Sequence, residues 1–273
     1  MGRAVAQGMI DSGFPASSLV MTAKSEDTCA SASSDLGVEV LRENPLAVRD
    51  ADIAVVCVKP KDVAKVVSEI SAPLKEEAPI VSIAAGITNS VLTEACQAQH
   101  AVIRAMPNTP CAIHKGITVL SPSEGVTSSQ LELSLRIFDC LGRTYVLDEQ
   151  HMDTVTGLSA SGPAFIFVMI ESLADGAVAR GLPRQIAIEM AAQMVFGAAS
   201  MVLATGRHPA ALKDDVTTPA GCTIAGLLAL EDGRIRSVIS RAIEIASQRA
   251  SELGEPKRSE EHTSELQSPD HLV

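Results

Sequence analysis

Residues 52–60 read DIAVVCVKP, an apolar run with no polar alternation that stops at Lys59 and Pro60. A strand buried on both faces has this pattern, whereas a strand with one wet face alternates. The next residues, KDVAKVVSEI (61–70), carry apolar positions at helical spacing, and Pro60 suits the first turn of that helix. The unit recurs in both directions. Before it stand SLVMTAK (18–24), a helix over 27–36, GVEVL (37–41) and a short helix near 45–50. After it come PIVSIAAG (79–86), VLTEACQA (91–98), AVIRAMPNTP (101–110), GITVLSP (116–122), SSQLELSLRIFDCLG (128–142) and TYVLD (144–148). Buried strands separated by helical crossovers predict an α/β fold: a doubly wound, mostly parallel sheet over residues 1–148. The last two or three strands are open to running antiparallel.

From residue 149 the pattern changes. Residues 151–206 hold no period-two run and read as two or three helices, one ending at Gly181 and the next opening at Pro183. HPAALKDDV (208–216), TIAGLLALEDG (223–233) and IRSVISRAIEIASQRASELG (235–254) follow as further helices. The helices between Ala164 and Leu203 are apolar nearly all round, so they must be covered on every side. A second, all-α domain over 149–254 that pairs with its copy in a homodimer satisfies this; a compact monomer is the alternative.

The two ends of the chain carry their own expectations. MGRAVAQGMIDSGF (1–14) reads as a helix with Met1, Val5, Met9 and Ile10 on one face and Gly13 at its end. A strand and a glycine-rich turn are expected before such a helix, which makes Met1 an internal methionine and the first strand of the sheet missing. Residues 255–273 turn polar; they are expected to be a disordered tail or, from about Arg258, the in-frame translation of a sequencing adapter.

The chain has 273 residues, 46% hydrophobic and 20% charged, with a formal charge of −11. This composition describes a protein with a sizeable core and argues against nucleic acid as a partner. No apolar run is read as approaching the roughly 20 residues of a membrane span. Six scattered cysteines form no CxxC pair, which predicts a reducing compartment, core or surface thiols and no metal site. A cytoplasmic location follows by default.

No GxSxG, HExxH or P-loop is present, and His100, His114, His151 and His208 stand isolated. The chemistry is sought at strand ends and helix starts instead. Gly2 fits the third glycine of a G-x-G-x-x-G turn. About 20 residues on, where an NAD enzyme places an acid, the strand tip holds Thr22, Ala23, Lys24 and Ser25. A cation among hydroxyls favours the 2′-phosphate of NADPH, with NADH as the alternative; a solvated loop lysine is the plainer reading. The strand ends Cys57-Val58-Lys59-Pro60, Ile83-Ala84-Ala85-Gly86 and Met106 to Pro110 point at the same crevice. In the helical half, Ser161-Gly162-Pro163 and Thr218 to Thr223 each precede a helix, suiting a carboxylate at free N–H groups or simple N-capping by Ser161 and Thr223.

Taken in order, AVVCVKP, SIAAGIT, VIRAMPNTP, TGLSASGPAF, HPAALKDDVTTPAGCTIAGLLALEDG and the last helix resemble pyrroline-5-carboxylate reductase over nearly all of residues 1–254. The resemblance implies a Rossmann-type domain, a helical dimerisation domain (with dimers often joined in a ring) and NAD(P)H-dependent reduction of 1-pyrroline-5-carboxylate to L-proline. It implies that Lys24, Asn44, Cys57, Lys59 and the Ile83–Gly86 loop flank the dinucleotide and that Met106, Asn108 and Thr109 border the nicotinamide, beside the cofactor contacts expected above at Gly2, Ser25, Val58 and Pro60. Ser161, Gly162, Ala220, Gly221, Cys222 and Thr223 would hold the substrate carboxylate, and Thr223 would hydrogen-bond or protonate the ring nitrogen. Ala220 stands where the family often has glycine, which puts a positive φ there in question. Two other readings remain: a β-hydroxyacid dehydrogenase, disfavoured because no lysine lies between His151 and Gly206, and a dimerising fragment that binds no cofactor.

Overall fold

The computed structural model describes residues 1–254. The adapter-like tail lies outside the described residues. The chain opens on helix α1 (Gly2–Asp11), which buries Val5, Ala6, Gly8 and Met9 and leaves Met1 exposed. It stops before Gly13, whose φ of 94° turns the chain. Strand β1 (Val20–Thr22), helix α2 (Glu26–Leu36), strand β2 (Glu39–Leu41) and helix α3 (Asn44–Ala47) follow. Ser25 caps α2 by accepting from the Thr28 N–H, and Gly37 closes it in the left-handed conformation.

Next come β3 (Ala54–Val56), α4 (Pro60–Ser71), β4 (Ile80–Ser82), α5 (Asn89–Ala95), β5 (Val102–Met106), β6 (Gly116–Pro122), α6 (Ser128–Asp139) and β7 (Gly142–Val146). Pro60 opens α4 as its composition predicts. Every residue of β4 and β5 is buried, which is why these stretches show no alternation.

The strands form two hydrogen-bonded pieces, β1-β2 and β3-β4-β5-β6-β7. Among the described residues no backbone ladder joins them, and β1 and β2 are far less buried than β4 and β5. Pairing is parallel within β1-β2 and β3-β4-β5, antiparallel between β5 and β6, and parallel between β6 and β7. The last two strands are therefore the ones that run against the rest.

The helical half begins with α7 (Met152–Val155) and a π-helical turn over Thr156–Ala160, in which the Ser161 N–H reaches back five residues to the Thr156 carbonyl at 3.0 Å. Then come α8 (Gly162–Ala179), α9 (Arg184–Thr205), α10 (Pro209–Asp215), α11 (Cys222–Asp232) and α12 (Ile235–Gly254). The stretches 149–179 and 184–205 are long and apolar enough, by length and composition, to cross a membrane. The expectation of no such run is thereby corrected: isolated Glu, Asp and Arg break the literal apolar runs without lowering the average enough to matter.

Register at the β6/β7 edge depends on one backbone crossing. Gly142 has a φ of 142°, and a Cβ there would lie 2.1 Å from the Gly116 carbonyl oxygen, a paired residue that cannot move without breaking the ladder. Gly142→Ala is expected to cost about 3 kcal/mol. Differential scanning calorimetry should show this as a fall in Tm of about 6–12 °C.

Candidate functional site

Because β3, β4 and β5 are adjacent and parallel, their carboxyl ends open on one edge, where an open α/β sheet takes its ligand. Those ends are Cys57–Pro60, Ile83–Gly86 and Met106–Thr109. At the first, α1 comes so close that a Cβ on Gly2 would lie 3.3 Å from Cys57 Cβ. This is the tight helix–strand approach expected of a third fingerprint glycine. Cys57, expected at the crevice, lies just past the end of β3 and is exposed. Protein packed around the thiol nonetheless pushes it up to about 11, against a smaller downward pull from the amino terminus, so it is a neutral thiol at physiological pH. Val58 is half-buried, and Lys59 and Pro60 are exposed.

The second strand end packs into the helical half. Met106, Val119 and Met152 form a small buried cluster, with Ala85, Val155 and Ala160 against it. One contact set thus joins the Ile83–Gly86 loop, the end of β5 and the residue before Ser161. Gly86 has a φ of 74°, and a Cβ on it would meet the Gly254 nitrogen at 2.9 Å, so the last turn of α12 rests on this loop. Gly157 plays the same part in the π turn: its Cβ would strike Ser247 Oγ at 2.3 Å. At the third end Asn108 is buried, and its Oδ1 accepts from the Ile117 N–H at 3.0 Å. Its carboxamide oxygen therefore braces the turn that carries Thr109, which is exposed.

At the tip of β1, Thr22 donates to Asn44 Oδ1 at 2.8 Å, and Asn44 donates to Glu69 Oε2 at 3.1 Å. Lys24 is 82% exposed but not merely solvated, for it pairs with Asp62 at 3.0 Å. The hydrogen bond from Lys24 holds the Asp62 carboxyl below the usual carboxylate range. Ser25 spends its hydroxyl on the α2 cap and on Thr28. An exposed cation and hydroxyls at the strand tip, with the glycine approach at α1, fit a phosphorylated dinucleotide.

N-capping does not explain the two helix starts. Ser161 occupies the N-cap of α8 without a side-chain cap bond, and the N-cap of α11 is Gly221, not Thr223. A Cβ on Gly162 would meet nothing within 4 Å, so the start of α8 faces open space. At the second site the Gly221 N–H donates to the Thr218 carbonyl at 3.2 Å, and Ala220 takes a φ of 57°. The left-handed turn is kept although glycine is absent. Ala220 and Cys222 are exposed and Thr223 is half-buried. Among the described residues α11 packs on α12 and makes no extensive contact with α8 or with β3, β4 and β5.

Arg104 escaped the reading of the sequence. It sits in the middle of β5, 2% exposed, with Asp153 at 2.9 Å and Glu149 at 3.5 Å. The signal was present: an arginine inside the apolar run AVIRAM (101–106).

Sheet, glycine approach and strand-end crevice define a dinucleotide-dependent reductase of Rossmann type with a helical second region. Two family models match in chain order: NADP oxidoreductase coenzyme F420-dependent over residues 1–86, and pyrroline-5-carboxylate reductase dimerisation over 149–253. The pyrroline-5-carboxylate reductase of Arabidopsis thaliana is 40% identical over 256 residues, covering 93% of this chain and 92% of that protein. That of Escherichia coli is 40% identical over 245 residues, 89% of this chain and 91% of that one. Among solved structures, the Coxiella burnetii pyrroline-5-carboxylate reductase superposes with a TM-score of 0.88 at 31% identity, covering 93% and 95% of the two chains. The Plasmodium falciparum enzyme, solved with NADP bound, gives 0.84 at 27% identity over the same shares. The chain belongs to the pyrroline-5-carboxylate reductase family.

The left-handed Ala220 supplies a test of the loop geometry. An L residue pays about 1–2 kcal/mol there, partly offset by the extra unfolded-state freedom of glycine. Ala220→Gly should therefore stabilise the fold by about 0.5–1 kcal/mol, read in a denaturant titration as a higher midpoint with unchanged slope.

Proposed function

We propose that this chain reduces 1-pyrroline-5-carboxylate to L-proline with NADPH, residues 1–148 holding the dinucleotide and 149–254 the substrate and the partner subunit. The observation that carries the reading is the packing of Met106 and Ala85 against Met152 and Ala160. It sets the start of α8 beside the strand ends where a nicotinamide would lie. Family membership supplies the substrate.

NADPH, when bound, provides the hydride. Lys24, Ser25, Thr22 and Asn44 stand at the ribose-phosphate end, with Lys24 exchanging Asp62 for the 2′-phosphate. Gly2, the Cys57–Pro60 turn and the Ile83–Gly86 loop line the middle, and Met106, Asn108 and Thr109 border the nicotinamide. Ser161 and Gly162 at the start of α8, and the Ala220–Thr223 loop, hold the substrate carboxylate through N–H and hydroxyl groups at positive helix ends. The Thr223 hydroxyl, free of capping duty, donates to the ring nitrogen as the imine carbon is reduced. Reduction of an imine needs placement and one proton donor rather than a strong base, so most of the rate gain comes from orientation.

Because α11 makes no extensive contact with α8 within one chain, the Thr223 loop reaches the crevice as part of a homodimer. The surface agrees. Phe167, Val168, Met190, Met194 and Phe196 on α8 and α9 are exposed, and between them those helices bury only Ala174, Ala187 and Ala191. Contiguous apolar surface of this kind marks an interface, and a second copy of the same helix pair is its occupant in this reading, with rings of dimers as a further stage. Six free cysteines suit the cytoplasm.

Two measurements test this. Thr223→Ala should lower kcat by about 10²-fold, the scale of a lost proton donor, with NADPH affinity preserved; an unchanged kcat removes Thr223 from the chemistry. Phe167→Glu should elute as a monomer in size-exclusion chromatography and lose activity. A dimer that survives it places the interface elsewhere.

A further inference from the structure

We propose that Arg104 is a positioning residue for hydride transfer: its buried guanidinium locks the carboxylate-binding start of α8 onto the dinucleotide edge of the sheet. The proposal rests on the reductase reading above and extends it to a residue that touches neither substrate nor cofactor.

Arg104 lies in the middle strand of the five, facing Ser82 of β4 and Ser121 of β6 in register. Its Nη2 donates to Asp153 Oδ1 at 2.9 Å, and its Nη1 lies 3.5 Å from Glu149 Oε1. Both carboxylates belong to the segment that opens the helical half, and both are about one-third exposed. Glu149 Oε1 also accepts from the backbone N–H of Asn89 at 2.7 Å, and Asn89 Nδ2 donates to the Ser121 carbonyl at 3.0 Å.

Each arm of this network runs straight to a part of the site. Two residues beyond Arg104 along β5 is Met106. Three residues before Asn89 is Gly86, the end of the loop that borders the dinucleotide. Asp153 neighbours Met152, which packs on Met106, and α7 passes through the π turn to Ser161. One cation therefore fixes the relative position of three elements that must agree for hydride to reach the imine carbon. Apolar packing at Met106 and Met152 supplies adhesion but less direction, since methionine side chains are flexible and adapt to irregular gaps. The guanidinium supplies direction, because its planar fork donates to carboxylates only along set lines. A burial this complete is tolerable because the counter-charges are at hand.

The test uses the whole chain with Asp153→Asn, Arg104→Lys and Arg104→Met. Thermal midpoint and NADPH affinity are measured first, then kcat per NADPH-binding site, then amide hydrogen exchange over residues 152–161. In Asp153→Asn, NADPH affinity should stay within about two-fold while kcat per site falls by about ten- to a hundred-fold, the effect of an ångström-scale misplacement. Exchange over 152–161 should rise by about ten-fold or more, with β1 and β2 unchanged. Arg104→Lys, which keeps the charge, should recover more kcat than Arg104→Met. Asp153→Asn keeps the test open if Arg104→Met does not fold. Unchanged kcat per site, or unchanged exchange over 152–161, overturns the proposal. If the parent chain binds NADPH but reduces no pyrroline carboxylate, the substrate reading fails, and the exchange result alone decides whether Arg104 locks the two halves.

Discussion

A full positive charge in the middle strand of a sheet is the constraint on which the arrangement depends. Arg104 has almost no water to turn to, and leaving it unpaired would cost several kcal/mol. Its carboxylates come from residues 149 and 153, so the sheet half cannot complete its own interior without the first turns of the helical half. The Met106–Met152 cluster then forms on a junction whose position is already set. The two halves are thus joined by an ionic pin beside one small apolar cluster.

Much of this fold was legible in the sequence because its central strands are short and buried. Runs such as PIVSIAAG (79–86) and AVIRAMPNTP (101–110) show no alternation, and the structure returns β4 and β5 without a wet face. Helix ends were readable where a single residue decides them: Pro60 at the start of α4, Gly37 after α2, and Gly13 after α1. The site was legible in part. The three strand ends meet because parallel order is a topological fact that apolar runs announce. What was not legible at the third end is the bond by which the Ile117 N–H donates to the Asn108 side-chain oxygen. Hydrogen-bond partners nine residues apart are set by turn geometry, which composition does not encode. The point where β3 stops, at Val56, is set in a related way, since a strand's last paired residue is fixed by its neighbours.

The helical half shows the opposite balance. Its apolar character was plain, but which surface it covers was not. Helices α8 and α9 pack on each other through small residues, which lets them approach closely and leaves the bulky side chains outside. Alanine inside and methionine outside is the reverse of a monomer's core, and a surface rich in Met and Phe can repack against a copy of itself. The same composition satisfies the length and hydropathy of a membrane span, a reminder that burial by protein and burial by lipid leave similar marks on a sequence.

The π turn at Thr156–Ala160 has a consequence for how this segment tolerates change. An α-helix advances about 100° per residue, so one extra residue in a turn rotates everything after it by more than a quarter of a circle. The phase of α8, and with it the bearing of Ser161, is therefore written in the length of a five-residue segment rather than in any side chain. Within it, position 157 must stay glycine against Ser247, and Thr156 and Ala160 are held by the Met152 carbonyl and the Met106–Met152 cluster, while the exposed Leu158 is free to vary. Removing a single residue would turn the helix start away from the sheet while leaving nearly every side chain of the chain intact.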